Sequence, residues 1–127
     1  MGTVKNMKIL VVEDDQILLR MLATTLVEHG FDVFEAKNGR DGLTQAATEQ
    51  PDLIVLDIDM PKMDGLAALK EFRIENKHTP VIMLTNLNHP NMVADAAELG
   101  ISEYLIKADW DIDDIVRKIE EKLQHQK

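Results

Sequence analysis

Five short apolar runs recur along this sequence, and side chains that could do chemistry follow four of them. They are acids after the first and third runs, a hydroxyl after the fourth and an amine after the fifth: Glu13, Asp14, Asp15, Asp57, Asp59, Thr85 and Lys107. Crowded carboxylates raise one another's pKa, and a hard cation keeps several of them ionised. Oxygen ligands without a thiolate suit Mg²⁺. A lysine beside them can pair with an acid or hold an anionic ligand, and a hydroxyl can donate to a phosphoryl oxygen.

The apolar runs alternate with helical patterns and recur about every 25 residues. They are Met7–Val12, Asp32–Ala36, Leu53–Leu56, Val81–Leu84 and Glu103–Ile106. Three of them contain the uninterrupted apolar segments ILVV, LIVL and VIML, which are typical of strands covered on both faces. Repeated right-handed strand–helix units give a parallel sheet with helices on both sides. If the strands lie in the order 2-1-3-4-5, the chemical groups meet at one edge, where ligands bind in such sheets.

The helical segments carry apolar residues at the spacing that buries one face of a helix. In the first helix, which Gly30 is expected to end, the predicted inward residues are Ile17, Leu18, Met21, Leu22 and Leu26. In the other four they are Leu43, Ala46 and Ala47; Leu66, Leu69 and Phe72; Val93, Ala96, Ala97 and Leu99; and Ile112, Ile115, Val116, Ile119 and Leu123. Each helix is therefore predicted to pack one face on the sheet.

Composition and charge narrow the possible classes of protein. The chain has 127 residues, is 45% hydrophobic, carries a net charge of −9 and has no cysteine. These values predict one globular domain and exclude disulfides and thiolate metal sites. The acidic balance argues against direct nucleic-acid binding, and no segment reaches the roughly 20 apolar residues of a membrane span. We expect a cytoplasmic domain over residues 7–124, with a loose arm at 1–6 and a polar tail at 125–127.

Four motifs in this order and spacing, VVEDD, LDIDMPKMDG, LT and YLIK, resemble the receiver domain of two-component response regulators. The similarity extends from Met7 to about Leu123. It implies the flavodoxin-like fold, an α/β doubly wound, five-stranded parallel sheet of order 2-1-3-4-5 with five helices. It also implies a phosphorylation-dependent signalling switch rather than an enzyme. In that family, a histidine kinase or phosphotransfer protein phosphorylates the aspartate that ends the third strand.

The resemblance implies roles for the acids at the strand ends. Asp57 matches the phosphoacceptor, whose carboxylate attacks the phosphorus of a phosphohistidine. Asp14 matches a direct Mg²⁺ ligand, and Glu13 matches a more distant one that acts through water. At Asp59 the backbone carbonyl would bind the metal, while the side chain would tune hydrolysis of the phosphoryl group. Asp15 is predicted to cap the first helix.

Three further residues match the switch of the family. Lys107 would pair with the phosphoacceptor and then with a phosphoryl oxygen, and Thr85 would hydrogen-bond to the new phosphoryl group. Tyr104 matches the aromatic residue whose ring position reports the state of Thr85. The face built from the fourth helix, fifth strand and fifth helix is expected to change shape and to bind an output partner. Asp64 and Gly65 are predicted to cap and open the third helix.

Two positions depart from the family pattern. Ala108 follows Lys107 where the family often has a proline in a cis bond, and without proline a cis bond costs about 2.5–4 kcal/mol. Asn86 follows Thr85 where a small Ala or Gly is usual, and its bulk is expected to narrow the access of a phosphodonor. Neither departure removes a functional group.

Two other functions are compatible with parts of the pattern. The segment DIDM carries the D-x-D spacing of haloacid-dehalogenase-like phosphatases, which also use an aspartyl phosphate and Mg²⁺. In those enzymes the motif stands on the first strand, whereas here it follows the third. The second alternative is a receiver-like module that binds partners without phosphorylation. The presence of all five site groups argues against it; they are Glu13, Asp14, Asp57, Thr85 and Lys107.

Overall fold

Strands and helices alternate along the chain, as the sequence predicts. The computed structural model describes residues 7–58, 65–86 and 90–124. The strands are β1 (Lys8–Val12), β2 (Asp32–Ala36), β3 (Leu53–Leu56), β4 (Val81–Thr85) and β5 (Glu103–Ile106). The helices are α1 (Gln16–Glu28), α2 (Gly39–Glu49), α3 (Gly65–Glu75), α4 (Pro90–Glu98) and α5 (Ile112–Gln124), with a short 3₁₀ helix at Lys107–Asp109. The predictions made for residues 1–6, 59–64 and 125–127 lie outside the described residues.

All five strands pair in parallel, in the order β2-β1-β3-β4-β5. This is the doubly wound, flavodoxin-like sheet that the resemblance implied, and the predicted fold class is confirmed. Val12 lies opposite Leu56, and Leu56 lies opposite Met83, so β1, β3 and β4 end side by side. The chain leaves β1 toward β2 on one side and later adds β3 on the other. The carboxyl ends of β1 and β3 therefore flank the switch point at which such sheets bind ligands.

Two apolar layers cover the sheet, one on each face, and successive strand residues alternate between them. Ile9 and Val11 of β1 belong to the layer that includes residues of α1 and α5. Leu10 and Val12 belong to the opposite layer, which includes residues of α2, α3 and α4. Burial on both faces explains the uninterrupted apolar runs, because every side chain of such a strand meets a core. Strands packed in this way hold the residues that directly follow them in fixed positions.

The predicted inward face of α1 is partly wrong. Ile17 and Met21 are exposed, with 73% and 51% of their surface accessible, whereas the buried residues are Leu19, Leu22, Ala23 and Leu26. At 3.6 residues per turn, Ile17 and Met21 lie on the side of the helix opposite Leu19 and Leu26. The prediction combined two overlapping sets of apolar residues, because this helix is apolar on more than one side. Ala47 and Ala97, also predicted to point inward, are exposed on α2 and α4.

The ends of α1 follow the sequence predictions. The side chain of Asp15 accepts hydrogen bonds from the backbone N–H groups of Ile17 and Leu18, at 3.0 and 3.3 Å, so Asp15 is the N-cap. Gly30 follows the helix with a φ of 96°, a left-handed conformation that glycine adopts without strain. Every peptide bond in the described residues is trans, including the bond between Lys107 and Ala108.

A buried arginine connects the end of α3 to the turn after α4. Arg73 is only 8% exposed. Its Nε donates to the carbonyl of Leu99 at 2.8 Å, its Nη2 to that of Gly100 at 3.0 Å, and its Nη1 to that of Asn76 at 3.2 Å. Leu99 and Gly100 follow the last turn of α4, where helix carbonyls lack partners within the helix. The guanidinium supplies those partners, at the amino edge of the sheet.

Candidate functional site

Two buried acids lie side by side at the carboxyl edge of the sheet. Glu13 directly follows β1 and Asp57 directly follows β3, and each is 3% exposed. Their backbones are held by the neighbouring strands. The N–H of Asp57 donates to the carbonyl of Val12 at 3.1 Å, and the N–H of Glu13 donates to that of Ala36 at 2.9 Å. The strand pairing therefore positions both acids, and neither depends on a loop.

Lys107 reaches both acids from the other side of β4. Its Nζ lies 2.8 Å from Oε1 of Glu13 and 3.0 Å from Oδ2 of Asp57. The lysine side chain is 16% exposed, compared with 4% and 3% for the two acids. Lys107 directly follows β5, so its side chain crosses the end of β4 to meet residues that follow β1 and β3. The sequence predicted the contact with Asp57, but not the equally short contact with Glu13.

Burial dominates the electrostatics of Glu13. Loss of solvent raises the pKa of this carboxyl to about 7, and the nearby charge of Asp57 acts in the same direction. Hydrogen bonds from Lys107 and from the backbone N–H of Asp15, the latter at 3.0 Å, act against the rise and do not cancel it. Burial alone would lower the pKa of Lys107, yet its hydrogen bonds to Glu13 and Asp57 leave that pKa above its usual value. One ammonium therefore serves two buried carboxylates.

A third acid completes a group of oxygen ligands. Asp14 is exposed, and one of its carboxylate oxygens lies within 4.8 Å of oxygens from Glu13 and Asp57. Within the described part of the chain, this is the only cluster of three residues that could hold a metal ion. A set made of carboxylate oxygens alone fits a hard cation such as Mg²⁺. Asp59, predicted to add its backbone carbonyl, lies outside the described residues.

Thr85 and Tyr104 lie beside this cluster. Thr85 is the last residue of β4, is fully buried and pairs with Ile106, the residue before Lys107. Tyr104 lies opposite Met83 on β5 and packs on the core layer shared by α2, α3 and α4. Burial raises the pKa of the Tyr104 phenol, and the charge of Asp57 raises it further. The phenol is thus within electrostatic reach of the acid, and Tyr104 lies three residues before Lys107.

Two residues beside the site, Asn86 and Gly65, have surroundings that the sequence left open. Asn86, expected to narrow the approach to the site, is exposed immediately after Thr85. Gly65 was interpreted only as the start of a helix, yet its Cα faces the backbone of Asp57 and Ile58. A glycine at the start of a helix that soon follows a strand is the available sequence signal, but it does not show which backbone the glycine approaches.

The fold and the acid–lysine cluster define a doubly wound α/β domain with an acidic cluster at its switch point that could hold a cation. A family model described as "Response regulator receiver domain" matches residues 9–120. The chain belongs to this family of two-component signalling proteins. Receiver domains are signalling switches rather than conventional enzymes.

Relatives and solved structures agree with this membership. The chain is 36% identical to the chemotaxis protein CheY of Bacillus subtilis over 101 residues, which cover 79% of this chain and 84% of CheY. It is 38% identical to the regulatory protein AtoC of Escherichia coli over 119 residues, which cover 94% of this chain and 26% of AtoC. A CheY-like receiver domain from Methanospirillum hungatei superposes with a TM-score of 0.91 at 27% identity, covering 96% of this chain and 97% of that one.

Several curated relatives are much longer than the region they share with this chain. The chain spans about a quarter of AtoC and 42% of the PhoP regulator of Bacillus subtilis. Among the described residues, no helix combines the length and the apolar character needed to cross a membrane.

Proposed function

We propose that the chain is a switch that accepts a phosphoryl group on Asp57 from a histidine kinase or a phosphotransfer protein, with Mg²⁺ as cofactor. The observation that supports this most directly is the buried Asp57 carboxylate, bonded to Lys107 at 3.0 Å beside the oxygens of Glu13 and Asp14. A lysine and a cation site around one carboxylate suit phosphoryl transfer, which depends mainly on positioning and electrostatics.

In the proposed reaction an oxygen of the Asp57 carboxylate attacks the phosphorus of a phosphohistidine. An O–P bond forms as the N–P bond breaks, and the electron pair of that bond returns to the ring nitrogen of the donor. Lys107 already contacts Oδ2 of Asp57, so its ammonium is placed to donate to an oxygen of the incoming phosphoryl group. The hydrogen bond from the N–H of Asp57 to the carbonyl of Val12 holds the backbone of the nucleophile in place.

The proposed metal ligands are Glu13, Asp14, the side chain of Asp57 and the backbone carbonyl of Asp59. Bound there, Mg²⁺ would neutralise charge on the phosphoryl oxygens. Glu13 is oriented for this role by Lys107 on one side and by the N–H of Asp15 on the other. Asp14 is the exposed member of the set and lies on the solvent side of the cluster.

The response to phosphorylation is proposed to run through Thr85 and Tyr104. A phosphoryl group adds a charge of about −2 and strong hydrogen-bond acceptors. The Thr85 hydroxyl would donate to it, and the Tyr104 ring would follow inward. The face formed by α4, β5 and α5 would then change shape and bind an output partner or effector domain. This is a shift between two populated states, caused by one local charge.

The proposal includes residues 7–124 as the receiver unit, a cytoplasmic location, and no direct contact with nucleic acid or membrane. Residues 1–6 and 125–127 are proposed as a flanking arm and tail.

Intact mass measurement after incubation with acetyl phosphate and Mg²⁺ tests the chemistry. We expect one phosphoryl adduct in the wild type and none in Asp57→Asn, which keeps the size of the side chain. Asp52→Asn is the matched control, because Asp52 is an exposed aspartate just before the other end of β3. It should form the adduct at the wild-type rate.

The same samples separate the alternatives. A module that works without phosphorylation would bind Mg²⁺ and show no adduct with any donor, which would contradict the proposal. Continuous hydrolysis of a phosphomonoester would instead indicate the phosphatase.

A further inference from the structure

Gly65, the first residue of α3, stands against the backbone of the proposed phosphoacceptor. A Cβ atom built on Gly65 would lie 2.7 Å from Cα of Ile58 and 2.8 Å from the carbonyl carbon of Asp57, and closer still to the carbonyl oxygen of Asp57. Carbon atoms in proteins normally contact at about 3.5–4.0 Å. These neighbours are backbone atoms at the end of a buried strand, so they cannot move aside as a flexible side chain would.

Backbone conformation does not explain the glycine at this position. Among the described glycines, those with a positive φ are Gly30, at 96°, and Gly100, at 81°. Gly65 is not one of them, so an alanine there could adopt the same φ. Alanine also has a higher helix propensity than glycine in an unobstructed helix. The close approach to the Asp57–Ile58 peptide is therefore the feature that requires glycine.

Backbone contacts hold Asp57 at both its N–H and its carbonyl group. Its N–H donates to the carbonyl of Val12 on β1, and its carbonyl group packs against Gly65. The N–H of Gly65 also donates to the carbonyl of Ile58 at 2.9 Å, which attaches the start of α3 to the same peptide. A side chain on Gly65 must displace either α3 or the Asp57–Ile58 peptide. Displacing that peptide rotates the Cα–Cβ bond of Asp57 and so changes the position of its carboxylate relative to Lys107.

We infer that Gly65 is a positioning residue for the reaction of Asp57: its missing side chain lets α3 fix the direction of the Asp57 carboxylate. The inference rests on the proposed function for its effect on phosphoryl transfer. Misplacement of a reacting group by about 1 Å can cost about 100-fold in rate. Gly65→Ala should therefore impair phosphorylation far more than it impairs folding.

Gly42 on α2 provides the matched control. A Cβ built on Gly42 would lie 3.0 and 3.1 Å from the two methyl carbons of Val12, so it also enters a tight space within a helix. Its neighbours belong to a side chain, which would have to shift by only a few tenths of an ångström to make room. We expect Gly42→Ala to lose stability while leaving the Asp57 peptide in place.

The first experiment measures the initial rate of adduct formation with acetyl phosphate at saturating Mg²⁺, divided by the folded fraction from urea unfolding. Gly65→Ala should be slower than wild type by at least about tenfold, and Gly42→Ala should stay within about twofold. A wild-type rate per folded molecule in Gly65→Ala would overturn the inference. If Gly65→Ala is unfolded in buffer, all three proteins are compared in an excluded osmolyte such as trimethylamine N-oxide, which favours the folded state. The same rates decide the outcome there.

A second readout needs no phosphodonor and so remains valid if the proposed phosphorylation fails. The ¹³C resonance of the Asp57 carboxyl, assigned by its loss in Asp57→Asn, reports the surroundings of that group in metal-free protein. It should shift in Gly65→Ala and stay at the wild-type position in Gly42→Ala. An unshifted resonance in Gly65→Ala would contradict the positioning role. A wild type without any adduct would instead contradict the proposed function.

Discussion

A half-buried lysine and a buried arginine stand at opposite edges of the sheet, and they are held by different kinds of partner. At the carboxyl edge, Lys107 contacts the carboxylates of Glu13 and Asp57 at 2.8 and 3.0 Å. At the amino edge, Arg73 contacts three backbone carbonyls, which belong to residues 76, 99 and 100. Carbonyl dipoles accept the hydrogen bonds of a guanidinium and carry no net charge. Carboxylates add negative charge that a further cation can share.

The difference between carbonyl and carboxylate partners distinguishes a structural contact from a site that can do chemistry. The five donors of Arg73 form a planar fork that can satisfy several carbonyls at once, and the helix end that it caps gains order. The ammonium of Lys107 is a compact charge between two acids, one of which has its pKa raised to about 7 by burial. The carboxyl edge is therefore short of positive charge, while at the amino edge Arg73 donates to carbonyls that carry no net charge.

The largest expected effect comes from removing the cation at the carboxyl edge. Lys107→Met should slow formation of the phosphoryl adduct by about 100-fold, since a positioned donor to developing charge is worth about that much. The rate is measured by intact mass at saturating Mg²⁺. The control is Lys118→Met, because Lys118 bridges to Glu103 at 3.7 Å on α5 and β5, away from the acids. A Lys107→Met rate within about threefold of wild type would show that the cation at the carboxyl edge does not assist the reaction, so the two edges would no longer differ in function.

The cation at the amino edge should matter for stability and not for the reaction. Arg73→Met removes the donors that three backbone carbonyls share, and we expect the free energy of unfolding to fall by about 2 kcal/mol. The adduct rate per folded molecule should not change. Arg117→Met is the control, because Arg117 is 72% exposed and pairs with Asp114 one turn away, so its loss should cost less than about 0.5 kcal/mol. Urea unfolding measures both variants, and equal losses would argue against a structural role for Arg73.

Glu13 should make the stability of the metal-free protein depend on pH. The pKa of Glu13 is about 7 in the folded chain, compared with 4.5 for an unperturbed glutamate. The folded state holds this proton more tightly, so Glu13 favours folding at low pH, and the contribution is lost as pH rises through about 7. Relative to Glu13→Gln, the wild-type free energy of unfolding should fall by about 2 kcal/mol between about pH 5 and 8.

Urea unfolding in a chelator across this pH range provides the measurement. Glu71→Gln, which alters an exposed acid on α3, should follow the wild-type curve. A wild-type curve that rises with pH relative to Glu13→Gln would show that Lys107 outweighs burial at this carboxyl.

The smallest expected effects are those of substituting the neighbouring acids Asp14 and Asp15, and they should differ in kind. Asp15→Ala removes the α1 cap and should lower the free energy of unfolding by about 1 kcal/mol without changing Mg²⁺ affinity. Asp14→Ala should leave stability nearly unchanged and weaken Mg²⁺ binding at least about tenfold, as expected for an acid that ligates the metal. Calorimetric titration gives the affinities, and urea unfolding gives the stabilities. If the two variants exchanged these effects, the assignment of cap and ligand would be reversed.

Most of the sheet could be predicted from the sequence, since the signals that define it are local. The bounds of β2, β3 and β5 match the prediction, and those of β1 and β4 differ by one residue at one end. The uninterrupted apolar runs are themselves a consequence of burial on both faces. The face of α1 was less predictable, because apolar residues occur on several of its sides and periodicity alone cannot choose between overlapping sets.

The sequence predicted which residues form the site better than it predicted which of them contact one another. Acids and a lysine after successive strands indicated a shared edge, but the short contact between Lys107 and Glu13 joins residues 94 positions apart. The Arg73 hydrogen bonds span 26 and 27 positions, and nothing in the local pattern of α3 distinguishes that arginine from an exposed one.

The sequence by itself determined which residue types follow each strand and therefore the kind of chemistry available, since strand and helix periodicity are properties of neighbouring residues. Only the tertiary structure decided which acids share Lys107, which backbone lies against Gly65 and which cation is merely structural. Those outcomes depend on strand order and register, which bring distant segments to within about 3 Å of one another. If one more strand lay between them in the sheet, the same side chains would be about 4.7–4.9 Å further apart.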